Sequence, residues 1–369
     1  MTHFFKALLA LLFVFVLCNA SLPTTLTALT PKVELVAGGG DEPLGGPVKG
    51  AQLFEPFGVA FDKSGNWYIC EYKGHRITKV DAKGNISLFA GTGKVAYSGD
   101  GGPAAEAAFN QPHGIVITKD QQMYVADTRN HSIRKIDLNT YRITTIAGTG
   151  QAGYSGDNGL ANKATFRETY AIDINRAGNK LYVADLGNKR IRQVDLKSGV
   201  ITTIAGNGQT GVPVDGADAV SSPLVDPRAV TVDSKGQLYI LERRGNALRV
   251  IDTKGKIRTL IGPGGMNAGN TTNTQNQAEP KMNGPKHLCV DARDNVIIAD
   301  SENHVILQYT PGDGKTIVIA GTGAKGNRLV SDDPLKTQLN RPHSVFVHPS
   351  GALYVSDSDN NRILKMTNW

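Results

Sequence analysis

Six positions spaced 56, 57, 58, 58 and 57 residues apart carry side chains suited to chemistry: Phe57, His113, Tyr170, Arg228, Lys286 and His343. Two imidazoles, two cations and two aromatic rings brought together would favour an anionic or aromatic ligand, through charge-assisted hydrogen bonds and cation–π contact. The same six could instead stack on one another and plug a channel. Which outcome holds depends on the elements that position them.

Those elements are internal repeats. The segments ending in Glu71, Asp127, Asp185, Glu242, Asp300 and Asp357 align, with the acids 56, 58, 57, 58 and 57 residues apart. Three residues on comes Gly or Asn (Gly74, Asn130, Asn188, Gly245, Asn303, Asn360). Six residues on stands an aliphatic (Ile77, Ile133, Ile191, Leu248, Ile306, Ile363). The acid is expected to cap turn amides, and the Gly or Asn to take the left-handed conformation that reverses the chain. Before each hairpin runs an apolar strand such as Gly114-Ile115-Val116-Ile117. After it comes a β-branched strand ending in Ala-Gly, such as Thr144-Thr145-Ile146-Ala147-Gly148. Four short strands in each repeat are the pattern of a propeller blade.

The sixth repeat stops after its third strand at Trp369, and Val33 to Gly38 offers the missing fourth. Pairing the two closes a ring and removes sheet edges. The expected fold is all-β: a six-bladed β-propeller of four-stranded antiparallel blades over residues 33–369, closed by the N-terminal strand in the last blade. Each of the six positions named first immediately precedes an innermost strand, so they should ring the mouth of the central channel. Their side chains vary while the frame repeats, as in sites built from loops on a rigid scaffold.

Other motifs are weighed against this repeat. G-x-G-x-x-G occurs at Gly148–Gly153, Gly206–Gly211 and Gly321–Gly326, but always at one repeat position and without the helix a dinucleotide site requires. It reads as the exit turn of an outer strand. Asp357-Ser358-Asp359-Asn360 hints at a calcium loop, yet the same slot in other repeats makes it hairpin chemistry. Asp100 and Asp157 in the linkers could offer oxygens to Ca²⁺, with turn capping as the plainer account. Arg134, Arg192 and Arg249 are expected to pair with the hairpin acids.

Asp-x-x-Asn-His-x-Ile-Arg-Lys at Asp127 to Lys135, after Pro112-His113-Gly114-Ile115, resembles the NHL repeat. The run Ala90 to Pro103 is similar to the linkers of secreted NHL arrays. The resemblance covers about residues 33 to 366 and implies the propeller fold; repeat four, with Glu242-Arg243-Arg244-Gly245, departs most. Peptidyl α-hydroxyglycine α-amidating lyases resemble this architecture and hold zinc with three channel histidines. By that likeness His113 and His343 would be ligands from blades two and six. The third would come from blade four, where Arg228 stands, while His287 should point the other way from Lys286. The implied zinc set is therefore incomplete. No cofactor is expected, with Ca or Zn as the alternative.

The chain opens with Lys6 and an apolar run from Ala7 to Cys18, then Asn19-Ala20. Small residues at Cys18 and Ala20 fit a secretory cleavage site, and the run falls short of the ~20 residues that span a bilayer. Residues 1–20 are expected to be a signal peptide and 21–32 a linker, giving a secreted chain with no membrane span. Cys70 and Cys289 lie in apolar runs and read as buried thiols rather than a disulfide scaffold. Sequons stand at Asn85, Asn130 and Asn270. A net charge of +7 in 369 residues is mild, which argues against a dedicated nucleic-acid partner.

The leading functional expectation is a secreted, monomeric ligand-binding or protein-interaction module for an extracellular protein, a glycan or a small anionic ligand. It would use the six channel positions or the long linker from Gly262 to Gly284. The alternative is a metal-assisted lyase or hydrolase at the channel mouth. RNA binding, known for some NHL domains, fits neither secretion nor the modest charge.

Overall fold

The computed structural model describes residues 30–263 and 281–369. The expected signal peptide, most of the N-terminal linker, the centre of the Gly262 to Gly284 linker and the Asn270 sequon lie outside them.

Alternation of apolar residues with tight turns folds the chain into six antiparallel sheets, one per repeat. Blade two shows the pattern: Pro112–Ile117, Gln122–Asp127, Ser132–Asp137 and Ile143–Ala147, from the axis outward. The innermost strands of the other blades are Pro56–Phe61, Thr169–Ile174, Pro227–Val232, His287–Val290 and Ser344–Val347. Each packs beside the next, and the sixth returns to the first. Closure is as the sequence leads one to expect. Lys32–Glu42 pairs antiparallel with Arg362–Thr367, placing Val33 opposite Met366 and Leu35 opposite Leu364. This strand is longer than anticipated, and Lys49–Ala51 adds a short fifth strand parallel to it.

The core is not one body but six wedges between neighbouring blades. Between blades one and two, for example, Cys70, Ile77, Phe109, Ile115 and Val125 are buried together. Each wedge joins two repeats, so no blade buries its apolar face alone.

The hairpin chemistry differs from expectation in two details. The left-handed residue is not the Gly or Asn three positions after the acid but the next one: His75, His131, Lys189, Asn246, His304 and Asn361, all with φ near +50°. The Asn is instead a clamp, since the Asn130 Nδ2 donates to Asp127 and to the Ala96 carbonyl. Nor does the acid cap its own turn. Asp127 accepts from the Asn110 amide, 17 residues earlier, and the same bond recurs from Phe54 to Glu71, Arg167 to Asp185, Val225 to Glu242, Asn283 to Asp300 and Asn340 to Asp357. The acid thus fixes the segment that leads into the innermost strand.

Arginines balance most of these buried carboxylates, as expected: Arg134 on Asp127, Arg192 on Asp185 and Arg249 on Glu242. Arg134 and Arg192 also take up the linker carboxylates Asp100 and Asp157, which explains those residues without a metal. The Ala-Gly ending has a steric cause. Gly148 sits at φ +88°, and a Cβ there would run into the His131 carbonyl of the adjacent hairpin. Cys70 and Cys289 are free thiols.

Candidate functional site

The six positions stand second in the innermost strands of blades one to four and just before those of blades five and six. They do converge, and all six side chains are buried. They close on one another. The Phe57 ring stacks on His343 with centroids 4.1 Å apart and meets His113 edge-on at 4.7 Å. His113 meets Tyr170 edge-on at 5.1 Å, and the Arg228 guanidinium lies 3.6 Å from the Tyr170 ring centroid. Lys286 Nζ donates to Glu302 Oε1 at 3.2 Å. Of the two outcomes the spacing left open, stacking is the one found at this end of the channel, which carries a cap.

A cavity of about 990 Å³ lies on the far side of the cap. Its wall is the innermost strands, and its rim is formed by the turns that leave them, including Asp233, Asp291 and His348. The unusual polar residues on this wall have structural partners. Asp173 accepts from Thr231 Oγ1 at 2.7 Å and from the Val232 amide, and His287 reaches the backbone of Val345, though its Nδ1 is buried without a partner. Each crosses to the next blade, His287 included, so His287 does not join the cap.

Hydrogen bonding within the cap is one-sided. Arg228 Nη2 lies 2.9 Å from His113 Nε2. A guanidinium only donates, so Nε2 accepts and the His113 proton sits on Nδ1. That Nδ1 is buried without a partner, as are Arg228 Nε and Nη1. Every unpartnered group here is a donor, and the cap is short of acceptors. Among the described residues no carboxylate forms an ion pair with Arg228, although it is only 3% exposed. Arg134, Arg192 and Arg249, equally buried, each have one.

Electrostatics follow this geometry. Burial, then the neighbouring Arg228, holds the His113 imidazole well below its ordinary range. The same two causes bring the Lys286 ammonium down to about 8, and burial lowers Arg228 to about 10. Each cation is disfavoured where it stands, which a bound anion would reverse.

The three-histidine zinc arrangement does not fit these residues. The Phe57 ring contacts both His113 and His343, and Arg228 occupies the His113 nitrogen lone pair a metal would use. Among the described residues no group of three or more His, Cys, Asp or Glu side chains is placed to hold a metal ion.

Residues outside the six complete the rim. Tyr72 stacks on Phe57 at 4.5 Å and donates to Gln111, while Glu302 bridges Lys286 and Arg341. Their signal lay in the repeat: Tyr72 and Glu302 follow the hairpin acid by one and two positions, and Gln111 and Arg341 precede the cap residue by two.

Comparison with known proteins agrees with this architecture. Residues 109–136 match the NHL repeat model and residues 197–368 the teneurin NHL domain model. NHL repeat-containing protein 2 of Gallus gallus is 29% identical over 340 residues, covering 84% of this chain and 46% of its own length. SUPPRESSOR OF QUENCHING 1, a chloroplastic protein of Arabidopsis thaliana, is 27% identical over 272 residues, 71% of this chain and 25% of that protein. The chain thus spans less than half the length of these curated relatives. A Bacteroides thetaiotaomicron protein of unknown function shares the fold at TM-score 0.66 and 16% identity, with 91% of this chain and 76% of that one covered. Repeat pattern, blade structure and family matches together show that this chain is an NHL-repeat β-propeller.

Proposed function

We propose that the propeller is an exported binding module whose ligand presents an anionic group to the capped end of the channel, with Arg228 as the anchor. The observation that carries this reading is the acceptor deficit: three buried donors, on Arg228 and His113, have no partner. Leaving such donors unsatisfied costs about 1–3 kcal/mol each, and a carboxylate or comparable anion supplies the missing acceptors together with the missing charge. Glu302 and Asp226 stand on the same rim, which favours a compact anion over a polyphosphate.

Titration calorimetry with benzoate, succinate and a neutral amide control tests this reading. A saturable heat with the carboxylates, absent with the amide and lost in Arg228→Met, is the expected result. If heats are equal for carboxylate and amide, or unchanged in Arg228→Met, the anchor is wrong. Export is tested separately by N-terminal sequencing of the mature protein, which should begin at Ser21.

A further inference from the structure

The capped face is not uniformly charged. Around blades five, six and one most of its charges are paired: Lys286 and Arg341 with Glu302, Arg341 also with Asp359, and Lys73 with Glu55, while the exposed Lys325 beside Lys73 has no ion pair among the described residues. Blades three and four differ. Arg167, exposed on the segment leading into blade three, forms no ion pair among the described residues. Arg244, on the blade-four hairpin, is 78% exposed and comes no closer than 3.9 Å to Asp226, which Arg243 already engages at 2.7 Å.

Lys189 is the most telling departure. Its position holds the left-handed hairpin residue, and in the five other blades that side chain accepts a hydrogen bond from the next blade. His75 accepts from Gln111, His131 from Glu168, Asn246 from Gly284, His304 from Arg341 and Asn361 from Glu55. An ammonium cannot accept. Blade three therefore gives up the inter-blade latch and presents a cation in its place. Its hairpin is also pared down: Gly187 stands where the other blades carry Lys73, Arg129, Arg244, Glu302 and Asp359. The Arg167 side chain lies across Gly187, where a Cβ would collide with it.

We propose that this sector is the docking surface for an acidic polypeptide segment, which runs across blades three and four and places one carboxylate on Arg228. The inference rests on the anion-anchor reading above and adds the partner class and its path. Charge complementarity commits it to peptide: Arg167 and Lys189, without an ion pair among the described residues, and Arg244, held only at 3.9 Å by Asp226, stand on the same face as the acceptor-poor cap. A nucleic acid fits less well. Its continuous phosphate charge would meet Glu168 and Asp226, and the aromatic rings of the cap are buried and stacked rather than free to receive bases.

The test is fluorescence anisotropy on the full chain with a labelled peptide of alternating glutamate and glycine. A lysine–glycine peptide and oligouridylate are the comparison probes. The glutamate peptide should bind, weakening several-fold as salt rises from about 50 to about 200 mM. The triple variant Arg167→Gln/Lys189→Gln/Arg244→Gln should weaken it about tenfold, whereas Lys73→Gln/Lys325→Gln on the opposite sector should not. Arg228→Met should also weaken it, with Arg228→Lys as the second variant if the first does not fold. If Arg228→Met abolishes binding while the triple variant binds as wild type, the anchor stands and the path is wrong. If neither matters, or the peptide does not bind, both fall. Tighter binding of oligouridylate than of the glutamate peptide overturns the partner class.

Discussion

At the scale of residues, the partner a side chain lacks says more than the partners it has. Among the described residues five arginines are buried in the blades or cap, and Arg228 is the one without a carboxylate. Histidines give a second case. The Nδ1 atoms of His75, His131 and His304 accept from backbone amides of the next blade, a bond that protonation destroys. Burial holds all three below the ordinary value of 6.5. The sign follows from linkage: a depressed folded-state value gives stability that is present above about 6.5 and lost as pH falls. Asparagine performs the same latch at Asn246 and Asn361 without titrating. The variant His75→Asn/His131→Asn/His304→Asn should therefore lose less stability than wild type between pH 7 and 5, read from urea midpoints. An unchanged decline would show that the latches do not carry the acid sensitivity. The cap residues were legible in the sequence from their spacing. Whether they close on one another or stay open to a ligand was not, because ring stacking depends on rotamers that one-dimensional spacing does not fix.

At the scale of elements, the hairpin acid is the tie that turns a sheet into a blade with a fixed inner strand. Asp127 holds the Asn110 amide, Asn130 and Arg134 at once. Removing one partner of a buried pair costs about 3–5 kcal/mol. Asp127→Ala should fall near that range in a denaturation midpoint. Blade five has no such arginine, with Val305 and Leu307 at the places that Arg362 and Arg134 take in their blades. Asp300 is pushed up to about 6 by burial first, as are the arginine-paired Asp127 and Asp185. Asp300→Asn, which keeps an acceptor for the Asn283 amide and leaves no cation stranded, should cost clearly less. Equal costs would contradict this division. The sequence showed that acid and arginine pair, since both recur at fixed offsets. It could not show that the acid reaches back 17 residues, because that bond closes across the two inner strands, whose register only the folded hairpin sets.

At the scale of the whole molecule, closure by Lys32–Glu42 makes the ring one cooperative body. Deleting residues 1–42 should expose the Arg362–Thr367 edge and leave Leu364 and Met366 uncovered, favouring self-association seen as a mass increase in light scattering. A monomeric, equally stable truncated chain would show that the strand is dispensable. Repeat counting predicted blade number and closure because both are set by period. It did not predict which end of the channel is open. The cap side lies with the hairpins, the cavity at the opposite rim, and only the packed structure separates them. The central claim is that Arg228 receives an anion at the capped end. Its most direct test is a titration of benzoate into protein with ¹⁵N-labelled arginine, following the Arg228 Nε–H resonance assigned by its loss in Arg228→Lys. A saturable shift of that resonance, with those of Arg134, Arg192 and Arg249 unmoved, is the predicted result. An Arg228 signal that stays fixed while benzoate binds would contradict the account.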